Sequence, residues 1–161
     1  MVGTQVFKLF NALYQQKKLY VIWTNYFSYD YKNITNPIVL GLSEAYPEEV
    51  KKQTAYRLAY HSYSHLRTMM TDIFLLEKME SLKDPQGNFY WTIYDNAMYF
   101  PALEMSCGRI DYIPEMKYWY TANTGINDWR TSKQREYSFV KNHIARYQRH
   151  YHCINHVFEM I

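Results

Sequence analysis

The first clear hydrophobic pattern of the chain lies at its N-terminus and predicts a helix. Val6, Leu9, Phe10 and Leu13 recur at helical spacing, so we predict an amphipathic helix over residues 5–17. The first 29 residues contain no acidic side chain. A basic, acid-free amphipathic helix is typical of a mitochondrial matrix-targeting segment. An ordinary docking helix fits the same pattern, and one segment can serve both purposes.

An aromatic segment and then a predicted helix start follow the first helix. Residues 19–35 are aromatic and follow no clean period. Asn36-Pro37 has the character of a helix start, with Asn as N-cap and Pro in the first helical position. It predicts a short helix over residues 38–45.

A second helix start follows at Pro47-Glu48-Glu49, because carboxylates in a first turn interact favourably with the helix dipole. No Gly or Pro interrupts the chain from there to Lys83, which predicts a long helix. Asp84-Pro85-Gln86-Gly87 predicts a turn. Residues 88–100 are then predicted as a helix that Pro101 stops.

The last third of the chain is predicted as a loop and a long helix. Residues 101–127 contain two Pro and two Gly and are predicted to be a loop with short turns. Asn127 or Asp128 can cap the final helix. Apolar residues recur there with a seven-residue period that predicts packing against another helix: Tyr137, Val140, Ile144, Tyr147, Tyr151, Ile154 and Phe158.

These elements predict an all-α fold in three segments, with several helices packed loosely and completed by partners, and a long C-terminal helix. Residues 1–35 form an N-terminal amphipathic helix and aromatic arm, residues 36–100 a helical core, and residues 101–161 an extension. No apolar run reaches the roughly 20 residues that a membrane-spanning helix needs.

Composition adds one unusual feature, which is the aromatic content. The 161 residues include 18 Tyr, 8 Phe and 4 Trp. Such side chains combine a large apolar area with a polar tip and suit interfaces with other proteins or membrane borders. The net charge of +3 is too small to predict nucleic-acid binding by itself.

Histidines and carboxylates provide the first candidate chemical groups. His61 and His65 lie four residues apart, as do His152 and His156, and each pair can place two metal ligands on one helix face. No Glu stands between the members of a pair, so the zinc-protease arrangement is absent and packing is the favoured interpretation. Glu77 and Glu80 form a carboxylate pair, which we predict to lie on a solvated face.

The basic helix and the cysteines provide the other candidates. Arg146 and His152 have five residues between them, a spacing that resembles the Arg…His motif of HEPN ribonucleases. A basic outward helix face explains the same residues. Two cysteines, Cys107 and Cys153, are too few for a four-thiolate metal site, and we predict that both are reduced packing residues.

A resemblance to a known family covers roughly residues 18–100. Its residues are Asn36-Pro37-Ile38, Pro47-Glu48-Glu49, Ala55-Tyr56-Arg57-Leu58 and Leu66-Arg67, in family order. This stretch resembles the 14-kDa subunit of the mitochondrial cytochrome bc1 complex (respiratory complex III), also called the ubiquinone-binding protein family. Residues 101–161 extend beyond a normal member.

The resemblance implies an all-α accessory subunit with no cofactor, metal or catalytic site of its own. Such a subunit binds cytochrome b and other complex III subunits peripherally, on the matrix side of the mitochondrial inner membrane. Neighbours in a supercomplex are further candidate partners, and nucleic acid is not an expected one. The role of such a subunit is to support the assembly and stability of the complex that transfers electrons from ubiquinol to cytochrome c. The alternatives are a stand-alone helical HEPN-like ribonuclease and a basic nucleic-acid-binding helical protein. Expected partner-contact residues are Phe10, Asn36, Pro47, Arg57, Tyr137, Ile144, Tyr151 and Phe158.

Overall fold

The structure, a computed structural model, describes residues 4–30, 33–38, 43–60, 63–90, 93–122, 137 and 151–154. Four helices, four strands and a 3₁₀ turn have both ends within these ranges, and Tyr137 is also helical. In chain order they are α1 (Thr4–Lys17), β1 (Val21–Asp30), β2 (Asn33–Ile38), α2 (Glu48–Lys52), β3 (Arg67–Met69), α3 (Thr71–Leu76), the 3₁₀ turn Met79–Leu82, α4 (Tyr94–Met105) and β4 (Ile110–Ala122).

Strand β1 is the centre of the sheet. β4 pairs with it in parallel along its whole length, from Val21 opposite Ile110 to Asp30 opposite Ala122. β3 pairs antiparallel with the first three residues of β1, and β2 pairs antiparallel with its last residues. Because β4 occupies one edge of β1 throughout, β2 and β3 share the other edge. The sheet is therefore mixed.

Pro114 lies inside β4, where it interrupts regular pairing. Thr24 is opposite Ile113, but Asn25 is opposite Met116, so Pro114 and Glu115 have no partner position on β1. A proline has no N–H for the ladder and is tolerated in a strand at such an irregularity.

Helices cover both faces of the sheet. Val21 and Trp23 point into a core cluster that contains Phe100 and Leu103 of α4. Ile22 points to the opposite face, where it packs in a second cluster with residues of α1 and β4: Val6, Phe10 and Ile113. Alternate side chains of β1 therefore enter two different cores, as expected for a strand buried on both faces.

The prediction of an all-α fold is wrong. Residues 19–35, which contain no clean period, include all of β1 and the first half of β2. Tyr20, Val21, Ile22, Trp23 and Thr24 are all fully buried, so the strand shows no alternation of apolar and polar residues that a sequence pattern could reveal. Its aromatic and β-branched composition was the remaining signal for a strand.

The long helix predicted from Pro47 to Lys83 is also wrong. α2 begins where predicted, at Glu48, but ends at Lys52. Thr54 follows with a left-handed backbone, φ 51°, which no α-helix contains. Farther along, β3 pairs with β1 and overrides the local helix preference of that segment.

Three further predictions fail in this part of the chain. The helix predicted over 38–45 does not begin at Asn36-Pro37, because β2 includes both residues. The loop predicted over 101–127 contains the end of α4 and all of β4. Residues 151–154 lie in neither helix nor strand, although the predicted last helix includes them.

α4 continues through Pro101, which was predicted to end the helix. A proline inside a helix costs about 3 kcal/mol or more, because it removes a hydrogen bond and clashes with the preceding turn. Pro101 is itself buried, and Ala102, Leu103 and Met105 beyond it are at most 1% exposed. Burial of this last turn offsets the cost.

Two predictions are confirmed. α1 spans Thr4–Lys17, and its predicted apolar face is the face that packs on the sheet. The turn at 84–87 forms with the N–H of Gly87 donating to the carbonyl of Asp84 at 2.9 Å. The Asp84 carboxylate also accepts from the N–H groups of Gln86 and Asn88, both at 3.0 Å.

Candidate functional site

A buried ion pair joins the segment after α2 to α4. Arg57 Nε donates to Glu104 Oε1 at 2.6 Å and Arg57 Nη2 donates to Glu104 Oε2 at 3.0 Å. Both side chains are 1% exposed. The guanidinium also lies 5.4 Å from the centre of the Phe100 ring. This bidentate geometry is the strong form of an Arg–carboxylate contact.

Glu77 is a second carboxylate close to this pair. Burial raises its pKa from 4.5 to about 8, and the positive charge of Arg57 acts in the opposite direction. Neither carboxylate oxygen of Glu77 has a hydrogen-bond partner within the part of the chain that the structure describes. The prediction that Glu77 and Glu80 lie together on a solvated face is therefore wrong for Glu77, while Glu80 is exposed.

Residues 151–154, which we name the C-terminal strap, lie against the end of α4. Cys153 forms a disulfide with Cys107, and the backbone N–H of Tyr151 donates to Glu104 Oε2 at 3.0 Å. The prediction that both cysteines are reduced is wrong. Spacing alone did not reveal the bond, because 46 residues separate the two cysteines.

A separate ion pair lies among tyrosine rings on the β3 side of α4. Arg67 Nη2 donates to Asp95 Oδ2 at 2.5 Å, and the guanidinium lies 5.6 Å and 5.0 Å from the centres of the Tyr63 and Tyr99 rings. Burial raises the pKa of both tyrosines. The hydroxyl of Tyr63 donates to Asn96 Oδ1 at 3.0 Å. These contacts fix the start of α4 against β3.

A surface groove of about 570 Å³ lies between α1 and the start of α3. Tyr14, Met69 and Met70 line it together with Lys18 and Asp72. The Tyr14 hydroxyl shares a hydrogen bond of 2.6 Å with Thr68 Oγ1. No cluster of charged groups converges on this groove among the residues that line it.

A surface of neighbouring exposed apolar residues lies on α3 and the 3₁₀ turn after it. We name it the α3 face and define it by Phe74, Leu75, Leu76 and Met79, whose exposures are 45%, 71%, 48% and 57%. Ile73 is the one buried residue of α3. Three consecutive exposed apolar residues on one helical turn form a contiguous patch of the kind that marks an interaction surface.

The structure places the predicted partner-contact residues in different environments. Phe10, a residue of α1, is buried between this helix and the sheet, and Arg57 is buried against Glu104. Pro47 is exposed directly before α2, and Asn36 lies within β2. Tyr137 and Tyr151 are half-buried, whereas Ile144 and Phe158 lie outside the described residues.

The other candidate residues are not brought into one site. The ring of His65 stacks on Tyr120, with the two ring centres 4.7 Å apart, and His152 is exposed. His61, His156 and Arg146 lie outside the described residues. Within the ranges that the structure covers, no group of three or more His, Cys, Asp or Glu side chains is placed to hold a metal ion.

Sequence reasoning missed Glu104, Asp95 and Arg67 as paired charges. Glu104 is the single charged residue in the apolar stretch 97–105, and a lone carboxylate there requires a buried cation. That requirement was the available signal for a partner of Arg57.

Comparison of the chain with protein-family models, with curated proteins and with solved structures finds no match. None of the helices in the described ranges is long and apolar enough to cross a membrane.

Proposed function

We propose that the chain is a non-catalytic accessory protein that binds an apolar segment of a protein partner through the α3 face. The observation that carries the proposal is the exposure of Phe74, Leu75 and Leu76 in succession on a helix that buries only Ile73. Apolar area of this kind is favourably removed from water by a partner.

The charges around the α3 face favour a protein partner over a membrane surface. Asp72 and Glu80 are acidic, Lys78 is basic, and all three are exposed. A surface that binds anionic lipid concentrates Lys and Arg beside its apolar residues. This surface has charges of both signs, which suits the polar rim of a protein interface.

The buried charges support a structural role for the centre of the molecule. Arg57 and Glu104 are sealed from solvent and satisfy each other, so neither is free to contact a substrate. Their position beneath the start of the C-terminal strap ties α4 to the segment after α2.

Membership of complex III is the specific form of this proposal that the resemblance in residues 36–66 favours. The helices of the described residues do not follow the resemblance, which implies a short helix and then a long helix. In the same stretch the structure has strand β2 and the five-residue helix α2. The disulfide counts against the matrix-side location that the resemblance implies, because disulfides persist in oxidising compartments. The proposal therefore rests on the α3 face, and complex III stays a prediction tested separately.

The first experiment tests the α3 face. A photo-crosslinking residue at position 75 of the full chain should attach to a defined partner, and the same residue at position 7 should not. Binding to that purified partner should then fall about 100-fold in Leu75→Glu, as expected for a central apolar contact worth about 2–3 kcal/mol. Phe7→Glu, at a similarly exposed position on α1, is the matched control and should bind normally.

Two other occupants of the face are outcomes that would overturn the proposal. Binding to lipid vesicles that is lost in Leu75→Glu would make the face a membrane contact. Self-association that is lost in the same variant would make it a contact between two copies. Migration of the chain with cytochrome b, by mass spectrometry of native membrane complexes, would support the complex III form, and its absence would remove only that form.

A further inference from the structure

The C-terminal strap is attached to the molecule by a disulfide, by hydrogen bonds and by side-chain packing. The Cys107–Cys153 disulfide is the covalent attachment, and its two Cα atoms lie 4.9 Å apart. Two backbone N–H groups of the strap donate hydrogen bonds at 3.0 Å, that of Tyr151 to Glu104 Oε2 and that of Ile154 to the carbonyl of Met105. The strap forms no helix or strand of its own.

The side chain of Tyr151 connects the strap to the segment after α3. Its hydroxyl accepts from the backbone N–H of Lys78 at 3.2 Å and shares a hydrogen bond with the hydroxyl of Ser81. Tyr151 and Ile154 also pack against the core cluster that includes Phe100 and Leu103. The strap therefore covers the end of α4 and one carboxylate oxygen of the buried ion pair.

The disulfide is accessible to a reductant. Cys153 is exposed and Cys107 is half-buried. Exposed disulfides are the labile and regulatory ones, because a thiolate must reach one sulfur in line with the bond. Without the covalent bond, the described contacts that attach the strap are non-covalent: hydrogen bonds and the packing of Tyr151 and Ile154. A hydrogen bond contributes about 1 kcal/mol, less than a disulfide contributes.

We propose that the Cys107–Cys153 disulfide is a redox latch whose reduction releases the C-terminal strap and opens the end of α4 and Glu104 to solvent. A dithiol reductant supplies the two electrons. Its thiolate attacks Sγ of Cys153, Cys107 leaves as a thiolate and takes a proton, and the second thiol of the reductant then displaces Cys153. The products are two cysteine thiols and the oxidised, cyclic disulfide of the reductant. This latch does not rest on the partner-binding role of the α3 face, although Tyr151 of the strap contacts Lys78 and Ser81, on either side of Met79 in that face.

Hydrogen exchange of the full chain tests the latch, with dithiothreitol as the reductant. In the oxidised protein the amides of Tyr151 and Ile154 should be protected, since both donate to protein acceptors. After reduction their exchange should accelerate about tenfold or more, while the amides of β1 keep their protection. Removal of the reductant and reoxidation should restore the original rates.

A variant separates release of the strap from loss of the fold. Cys107→Ser combined with Cys153→Ser should reproduce the exchange pattern of the reduced protein without any reductant, and dithiothreitol should leave it unchanged.

Three results would overturn the proposal. The first is two free thiols in the protein purified under oxidising conditions, detected by alkylation and mass spectrometry. The second is unchanged protection of Tyr151 and Ile154 after reduction. The third is loss of protection throughout β1 on reduction, which would make the disulfide a staple of the whole fold and not a latch on the strap.

Discussion

Arg57 and Glu104 face each other across the centre of the molecule, paired at 2.6 Å and 3.0 Å, with almost no exposure to solvent. The resemblance to the complex III subunit implied that Arg57 contacts a neighbouring subunit. The partner is in the same chain, so Arg57 ties α4 to the segment after α2.

Removal of Arg57 should therefore destabilise the isolated chain. We expect Arg57→Ala to lower the free energy of unfolding by about 3–5 kcal/mol, because Glu104 is left as an unpaired buried charge. Urea unfolding of the purified chain measures this loss.

The paired replacement provides the control. Arg57→Met combined with Glu104→Leu removes both charges and should recover most of the stability lost in the single variant, since apolar pairs often replace buried ion pairs without loss. A double variant as unstable as Arg57→Ala would contradict the assignment of the loss to an unpaired charge.

Glu77 should make the protein less stable as the pH rises. Burial raises its pKa from 4.5 to about 8 in the folded chain. Between these two values the folded state keeps a proton that the unfolded state releases, so stability falls from about pH 4.5 to about pH 8 and then levels. Glu77→Gln cannot ionise and should flatten this slope and be more stable than the wild type at pH 8.

The matched control for this prediction is Glu80→Gln, an exposed carboxylate three residues away. Unfolding in urea, measured from pH 5 to 8.5, should give the wild-type slope for Glu80→Gln. An unchanged slope in Glu77→Gln would show that Glu77 ionises normally in the folded chain.

Phe10 and Phe7 test how α1 docks. Phe10 is 3% exposed in the cluster with Ile22, whereas Phe7 is 62% exposed on the same helix. We expect Phe10→Ala to cost about 3–5 kcal/mol and Phe7→Ala to stay within about 0.5 kcal/mol of the wild type. Thermal unfolding compares the two variants. Equal effects would mean that α1 does not pack on the sheet through this face.

Trp23 in β1 and Trp119 in β4 compare a buried position of the sheet with an exposed one. Trp23 is fully buried, and its Nε1 donates to the carbonyl of Glu44 at 3.0 Å. Trp23→Phe loses that bond and part of the ring, and should cost about 1–3 kcal/mol. Trp119 is 43% exposed and stacks on Phe27, so Trp119→Phe should change stability by about 0.5 kcal/mol or less. Denaturant titration distinguishes the two, and a larger loss at Trp119 would contradict the placement of β1 at the centre.

Sequence patterns predicted an element correctly where the residues of that element alone determine its structure. α1 was predictable because Val6, Leu9, Phe10 and Leu13 repeat with the helical period. The turn at Asp84 was predictable because its side chain and a following Gly satisfy local backbone geometry.

The same reasoning failed where a distant segment decides the structure. β1 has no alternating pattern because both of its faces are buried, and β3 is only three residues long. Pro101 stops a helix in isolation, but burial of the residues after it keeps α4 intact. The pairing of Cys107 with Cys153 depends on where the strap lies in the folded chain, and the spacing of the two cysteines in the sequence does not predict that position.

The amphipathic α1, the turn after Leu82 and the excess of aromatic side chains follow from the order of the residues alone. The mixed sheet at the centre, the pairing of Arg57 with Glu104 and the exposure of Leu75 and its neighbours do not. Helix periodicity and turn chemistry act over a few residues, whereas strand pairing, charge burial and surface exposure depend on segments far apart in the chain.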